Sequence, residues 1–319
     1  MSFLIRALMW VTAVFYLCPL DVVGNDDDDG HSEAVSLLNS YRSCLDAIQR
    51  YDVFYRNDSI WFPNEGEGIE ERVAYVRLVM DPTKKRCLAI QRVIKKRLAG
   101  TLQGAIDQPS ESITAIVFSD NECWFRHIPQ TKPTKIEPSL DRALMLVSEV
   151  SYFHLLGFAD FPMPYMPGIE KAANEEHSAF RAGVYKHTYD GKNRITARYA
   201  RQSEFLDIEF DVINFVPKSI VLNFIAADHR VIPHRKERYL FENRDGIRLP
   251  LKISGERREQ NVINQVNVKG TRSYNVDFKW FSVNEALDEK QFSFDVLRDP
   301  KLLLALVSDK VLNSDTGSP

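Results

Sequence analysis

From about Ala179 onward the chain alternates apolar and polar residues in run after run, and no ten-residue helical crossover separates those runs. The runs "FRAGVYKHTY", "NRITARYA", "FLDIEFDVI", "SIVLNFIA", "ERYLFEN", "IRLPLKISGERRE" and "TRSYNVDFKWFSV" are joined by short connections, among them Asp190-Gly191 and Asp245-Gly246. A parallel neighbour needs a crossover of a dozen or more residues, so these strands are antiparallel and a doubly wound parallel sheet is excluded. Glycine supplies the positive φ of a tight hairpin. Asp245-Gly246 is therefore read as a turn and not a chemical site, and Pro250, lacking an N–H, belongs at an edge or a bulge.

The first half has two helical stretches among further hairpins. Val35, Leu38, Tyr41, Leu45 and Ile48 recur at three- and four-residue steps, which predicts an amphipathic helix of about four turns with Ser32 as its cap and Glu33 in its first turn. "RVAYVRLVMD" and "RCLAIQRV" flank "PTKK" as one hairpin, and "SITAIVFS" and "CWFRHI" around "DNE" make another. "SLDRALMLVSEVSYFHLLG", from Ser139 to Gly157, reads as a second helix, so broadly apolar that it needs cover on most sides. The order helix, sheet, helix, sheet predicts an α+β fold: a single curved antiparallel sheet with two main helices packed on its concave face.

Residues 1–24 read as a signal peptide, because Arg6 precedes an apolar run from Ala7 to Leu20 and small residues lead to Gly24, the expected cleavage point. A retained membrane anchor is the alternative, but fourteen residues are short for a span of about 20. Either way the remainder is exported, to the periplasm or beyond, and after cleavage it is not an integral membrane protein. An acidic linker at 25–31, a folded domain at 32–297 and a short helix with a flexible tail at 298–319 complete the expected organisation. Arg6 and Asp21 cancel, so the exported part keeps the formal charge of −3, and the four acids of "NDDDDG" leave the body near +1. That balance gives no case for nucleic acid as a partner.

Cys44, Cys87 and Cys123 lie beyond the signal segment. An odd number is not a disulfide framework. Cys87 with Cys123 is the favoured pair because both fall in neighbouring strand-like runs, and three buried thiols is the other reading. The spacings do not fit zinc.

"YDGKNRITARY", "IEFDVINFVPKSIVL", "RYLFENRDGIRLPLKI" and the ending "WFSVNEALDEKQFSF", following a signal peptide and an opening helix, give an order that resembles exported bacterial proteins of the lipoprotein-localisation-factor-like group, above all the sets found in planctomycete-type bacteria. The resemblance runs from about Ser32 to Val296. It implies a half-open antiparallel barrel closed by helices, with a hydrophobic cavity between them that holds acyl chains or senses lipids and lipoproteins. No ligand-contact residue of that group is carried over to this sequence.

No catalytic signature and no cofactor motif stands out. "NDDDDGHSEAVS" has Ser36 where a calcium loop needs a bidentate Glu, and "GEGIEE" lacks the third glycine of a dinucleotide fingerprint. The histidines are scattered, so no metal site is expected. Two stretches carry candidate binding residues. "FADFPMPYMPG" puts Phe158, Phe161, Met163, Tyr165 and Met166 in a loop, where they serve either as core that plugs the open end of the sheet or as a lid over a lipid-sized cavity. "DHRVIPHRKERY" packs His234, Arg235, Lys236 and Arg238 together, as an anion or partner patch or as charge that blocks edge-to-edge pairing. The expected function is non-enzymatic binding of an acyl chain, lipid or lipoprotein. The alternative is an envelope interaction or regulatory protein that reads a protein partner through a sheet edge or the basic segment.

Overall fold

A computed structural model describes residues 28–64, 69–98, 110–129, 132–137, 147, 185–199, 204–226, 228–263 and 266–313. The signal segment and most of the expected second helix lie outside these residues. One antiparallel sheet of thirteen strands organises what they form. The chain enters it from helix α1 (Asp28–Asp46) and lays down β1 (Tyr51–Pro63), β2 (Ile69–Asp81), β3 (Arg86–Leu98), β4 (Ser110–Ser119), β5 (Glu122–Ile128) and β6 (Thr134–Ile136) as successive neighbours. A second meander follows: β7 (Tyr185–Tyr189), β8 (Arg194–Tyr199), β9 (Glu204–Asp211), β10 (Val216–Ile225), β11 (Val231–Arg244), β12 (Ile247–Ile263) and β13 (Val266–Val283). The last strand returns to pair with the first, from Tyr51 opposite Val283 to Pro63 opposite Gly270. The two meanders therefore join at the middle of the sheet, and β6 and β7 form its two free edges.

Turn chemistry explains the tight hairpins. Asp120 and Asn121 (φ 52° and 58°) close β4 onto β5, and Asp245 and Gly246 (φ 51° and 85°) close β11 onto β12. Both are two-residue turns with positive φ at each position, the geometry that matches strand twist. Pro250 falls at a bulge, where the pairing slips between Leu240 and Phe241, and its free carbonyl accepts the Trp280 indole N–H at 2.8 Å. Asp190-Gly191 opens a longer connection: the Asp190 carboxylate gathers the backbone N–H groups of Lys192, Asn193 and Arg194 at 2.9–3.0 Å.

The sheet is covered on both faces. On the helix face, Ala34, Leu38 and Tyr41 of α1 join Val53, Tyr55, Val76, Leu78, Ile208, Phe210, Ile253 and Val276 in one core, with Val147 in the same cluster. The Tyr41 ring stands edge-on to Phe210 and Phe241, at 6.2 and 6.4 Å. On the opposite face, Phe54, Tyr75, Val79, Leu88, Ile90 and Val117 pack against Phe292, Leu297, Leu303, Val307 and Val311. Those five belong to the segment after β13, here called the strap. Three capping residues divide it into short pieces: Asp288 before the 3-10 turn Glu289–Phe292, Ser293 before Phe294–Arg298, and Asp299 before α2 (Pro300–Leu306). Each side-chain oxygen takes N–H groups of the next turn, which starts a new helix instead of prolonging the last. α3 (Asp309–Asn313) ends the described chain, and Lys279 donates to the carbonyls of Val311 and Leu312 at 3.1 and 2.9 Å.

Two expectations need correction. The class is not a balanced α+β arrangement with two main helices on one face: the sheet dominates, α1 is the sole long helix among the described residues, and α2 and α3 lie against the other face. The sheet is open, its order running from β6 at one edge to β7 at the other. The physical reason is the strap. Its 3-10 turns and brief helices supply apolar cover without a 3.6-residue period, so its role does not show as a helical pattern. In addition, α1 begins at Asp28, inside the acidic run, and not at Ser32.

Candidate functional site

Side chains alternate between faces along a strand, so register decides what the helix face presents. At the end where α1 sits, the rows are apolar: Val53, Leu78 and Trp280 on one level, Tyr55, Val76 and Phe278 on the next. Toward the other end of the same strands the character changes abruptly. Arg72, Ser59, Tyr274, Gly255 and Glu237 form one level across β2, β1, β13, β12 and β11. Glu70, Trp61, Arg272, Arg257 and Arg235 form the next.

Three arginines thus stand directly opposite one another on adjacent strands. Like charges in that position repel, and carboxylates interleaved from the same strands hold them. Arg235 donates through Nε to Glu237 at 2.7 Å, two residues along β11, and Arg257 to Glu259 at 2.9 Å, two residues along β12. Arg272 reaches Glu259 at 2.6 Å, Glu70 at 2.9 Å and the Ser59 hydroxyl at 3.3 Å. Glu237 is 1% exposed and also accepts the hydroxyls of Tyr239 and Tyr274. Burial works against the Arg235 charge, but Glu237 with Tyr274 and Tyr239 behind it outweighs that and holds the guanidinium protonated. Burial and the same carboxylate push the Tyr239 phenol well above its ordinary value. A buried charge is tolerated where it is paired and hydrogen-bonded in this way.

Trp61 completes the level differently. It is 1% exposed, its ring lies over the Gly270 backbone, and its indole N–H has no partner among the described residues. A Cβ at position 270 would come within 2.4 Å of the ring, so only glycine admits it there. Buried donors normally find an acceptor.

The expected site residues fare unevenly. Phe158, Phe161, Met163, Tyr165 and Met166 lie outside the described residues. The basic patch is divided by strand alternation: Arg235 turns inward to Glu237, whereas Lys236 and Arg238 are exposed on the opposite face, Lys236 3.5 Å from Glu256. His234 occupies a bulge and sets its ring edge-on to Phe224 at 5.1 Å. Burial, then Arg235, Arg258 and Arg257, lower its pKa. Cys87 and Cys123 are both free and buried, each in register with Phe118 of the strand between them. The arginine level escaped the sequence reading, although a signal existed. Arg-x-Glu occurs at 235–237 and again at 257–259, and that spacing puts both charges on one face of a strand.

On the strap face a cleft of about 560 Å³ opens between the strap and the ends of β3–β5, lined in part by Arg86, Ser119, Trp124, Glu289, Phe292 and Phe294. Arg86 is already matched by Asp81 at 3.1 Å and by Glu289, Glu289 also holds Lys84 at 2.9 Å, and the Trp124 ring stacks on Phe294 at 5.3 Å. These contacts anchor the strap. Among the described residues no group of three His, Cys, Asp or Glu is placed to hold a metal ion, and no described helix is long and apolar enough to cross a membrane.

No family model matches this sequence, and no curated protein matches it. Solved structures give distant likenesses. A DUF1329 family protein from Desulfovibrio piger aligns at 10% identity and a TM-score of 0.38, covering 84% of this chain and 99% of its own. An outer membrane lipoprotein-sorting protein domain from Vibrio parahaemolyticus aligns at 10% identity and 0.39, covering 84% and 100%. Lipovitellin aligns at 10% identity and 0.29, over 75% of this chain and 26% of that one. At such scores they are likenesses of strand arrangement and carry no inference about what this chain does.

Proposed function

We propose that this chain is an exported, non-enzymatic protein that binds a hydrophobic ligand, such as an acyl chain, a lipid or the lipid part of a lipoprotein, on the helix face of its sheet. The observation that supports the reading most is the division of labour between the two faces. The strap face is closed by the chain's own C-terminal segment in a compact core. The helix face presents a wider apolar field, from Phe118 and Cys123 at one side to Ile208 and Phe210 at the other. Its side chains are 8% exposed or less, so an apolar ligand would lie among them in place of cover they already have. The charged groups at its far end are engaged with one another, an arrangement suited to holding a shape and not to proton transfer. Export rests on the opening segment, where Arg6 precedes an apolar run.

The test uses the full chain purified without detergent. Organic extraction followed by mass spectrometry is expected to release a co-purified lipid, and the delipidated protein is expected to take up a fluorescent fatty acid. Absence of both would remove the proposal.

A further inference from the structure

We infer that the β9–β10 hairpin sets its tip into a lipid surface; the inference stands apart from the ligand reading above. Turns are normally built from glycine, asparagine, aspartate and other small or polar residues. This one, between Asp211 and Val216, carries Val212, Ile213 and Phe215, which are 37%, 82% and 40% exposed. The turn is fixed from within. The Asp211 carboxylate accepts the backbone N–H groups of Ile213 and Asn214 and the Asn214 amide, each at 3.0 Å. Arg248 of the neighbouring hairpin donates to the Asn214 side-chain oxygen at 2.8 Å. Phe215 has φ 54°, a left-handed backbone that a bulky residue rarely adopts. Strain is thus held in place while the apolar groups still face water, and strain held by its surroundings points to a use. Apolar exposure continues toward the same end of the next two strands, with Leu240 and Leu251 beside the β11–β12 bulge.

Two observations favour a bilayer over a protein as the occupant. The first is shape. Apolar groups at the apex of a hairpin are convex, so a protein would need a matched pocket to cover them, whereas a lipid surface yields to them. The second is charge. Lys218, three residues past Phe215, is exposed and only 3.9 Å from Asp211, and Lys192 is exposed in the adjoining β7–β8 turn. That turn is tied to β9 by the Phe210 N–H on the Asn193 carbonyl at 2.7 Å. The carboxylates of the two turns are turned to their own backbones, Asp211 as above and Asp190 to the N–H groups of Lys192, Asn193 and Arg194. An apolar apex with lysines set behind it matches the order in which a bilayer presents acyl carbon and then phosphate.

The test uses the full chain with vesicles of phosphatidylcholine, alone or mixed with phosphatidylglycerol. Ile213→Trp puts an indole at the apex, and the emission it adds is expected to shift to the blue on vesicles and to be quenched by brominated phosphatidylcholine. Ile213→Asp, at a position too exposed to disturb the fold, is expected to weaken vesicle binding about tenfold. Lys218→Gln is expected to lose about fivefold on the mixed vesicles and little on phosphatidylcholine alone. An apex indole that stays unquenched on bound protein, or equal binding by the parent and Ile213→Asp, overturns the inference. So does a parent that binds neither vesicle; where that parent self-associates in sedimentation through a contact that Ile213→Asp breaks, the tip belongs to a second copy of the chain. Fatty-acid uptake by Ile213→Asp is expected to match the parent, so the ligand reading is judged separately.

Discussion

Asp52 and Arg77 face each other across β1 and β2 beneath the strap, joined by two hydrogen bonds of 3.1 and 2.8 Å, with their side chains 7% and 3% exposed. Gln291 of the strap donates to the same carboxylate at 3.3 Å, and the guanidinium lies 5.1 Å from the centre of the Phe281 ring. The pair is thus part of the surface on which the strap docks. Removing one member of a buried pair strands the other in a dry site, at a cost of roughly 3–5 kcal/mol. Asp52→Ala is expected to lower the urea midpoint accordingly. Asp52→Leu combined with Arg77→Met should recover most of the loss, since the charge is then removed together with its partner. Equal stability of the single variant and the parent would mean that the pair does not anchor the strap.

Gly255 sits between Glu237 and Tyr274 in the polar level of the helix face. A Cβ there would lie 2.5 Å from the Lys236 carbonyl oxygen and 3.0 Å from both Glu237 Cγ and Tyr274 Cζ. The backbone oxygen cannot retreat without opening the β11–β12 ladder. Gly255→Ala is expected to cost roughly 1–3 kcal/mol or more through overpacking. Glu256→Ala, one residue along and facing the other way, loses only an exposed pairing with Lys236 and should stay within about 0.5 kcal/mol of the parent. Thermal denaturation of the two variants side by side checks the contrast.

Acid should loosen the strap before it unfolds the sheet. Hydrogen bonds from Arg86 and then Lys84 pull the Glu289 carboxyl down to about 2. Burial alone would raise the neighbouring Asp81, but bonds from Thr83 and Arg86 lower it. A carboxyl whose folded value lies below its unfolded value stabilises the fold above the unfolded value, about 4.3 for Glu. That contribution is lost as the pH falls through the folded value. Protection of strap amides against hydrogen exchange should therefore hold at pH 6 and decline between about 4.3 and about 2. Glu289→Gln should flatten the decline, leaving the smaller part due to Asp81. A variant with an unchanged profile would show that Glu289 does not hold the strap.

What the sequence disclosed follows from how local each signal is. The β2–β3, β4–β5 and β11–β12 hairpins were legible because their turn residues and alternation lie within a few positions of each other. β1 was harder to read: Asn57 and Ser59 are polar yet 1% and 4% exposed on the helix face, which breaks the expected apolar alternation of a central strand. The strap escaped for a different reason. Phe292, Leu297, Leu303, Val307 and Val311 are separated by irregular steps, and nothing in such a run says which face of a sheet it will cover. The candidate site was least legible of all. Arg235, Arg257 and Arg272 become neighbours only through the register of three strands, whereas the contiguous 234–238 segment is split between two faces by the two-residue period.

The two buried thiols give a last test of that register. Cys87 on β3 and Cys123 on β5 both stand opposite Phe118, so two strand spacings separate them, roughly 9–10 Å by the usual 4.7–4.9 Å per step. A disulfide spans about 4.4–6.8 Å between Cα atoms, so the ladder keeps the pair apart. Burial pushes the Cys123 thiol up to about 11 and the Cys87 thiol higher still, and both side chains are 0% exposed. The thiolate is the reactive form. Iodoacetamide at pH 8 is expected to leave both residues unmodified in the native protein and to label both in urea. Non-reducing peptide mapping of native material should find no link between them. Detection of a Cys87–Cys123 bridge in folded protein would mean that β3, β4 and β5 are not paired as described, and the apolar field at that side of the helix face would have to be redrawn.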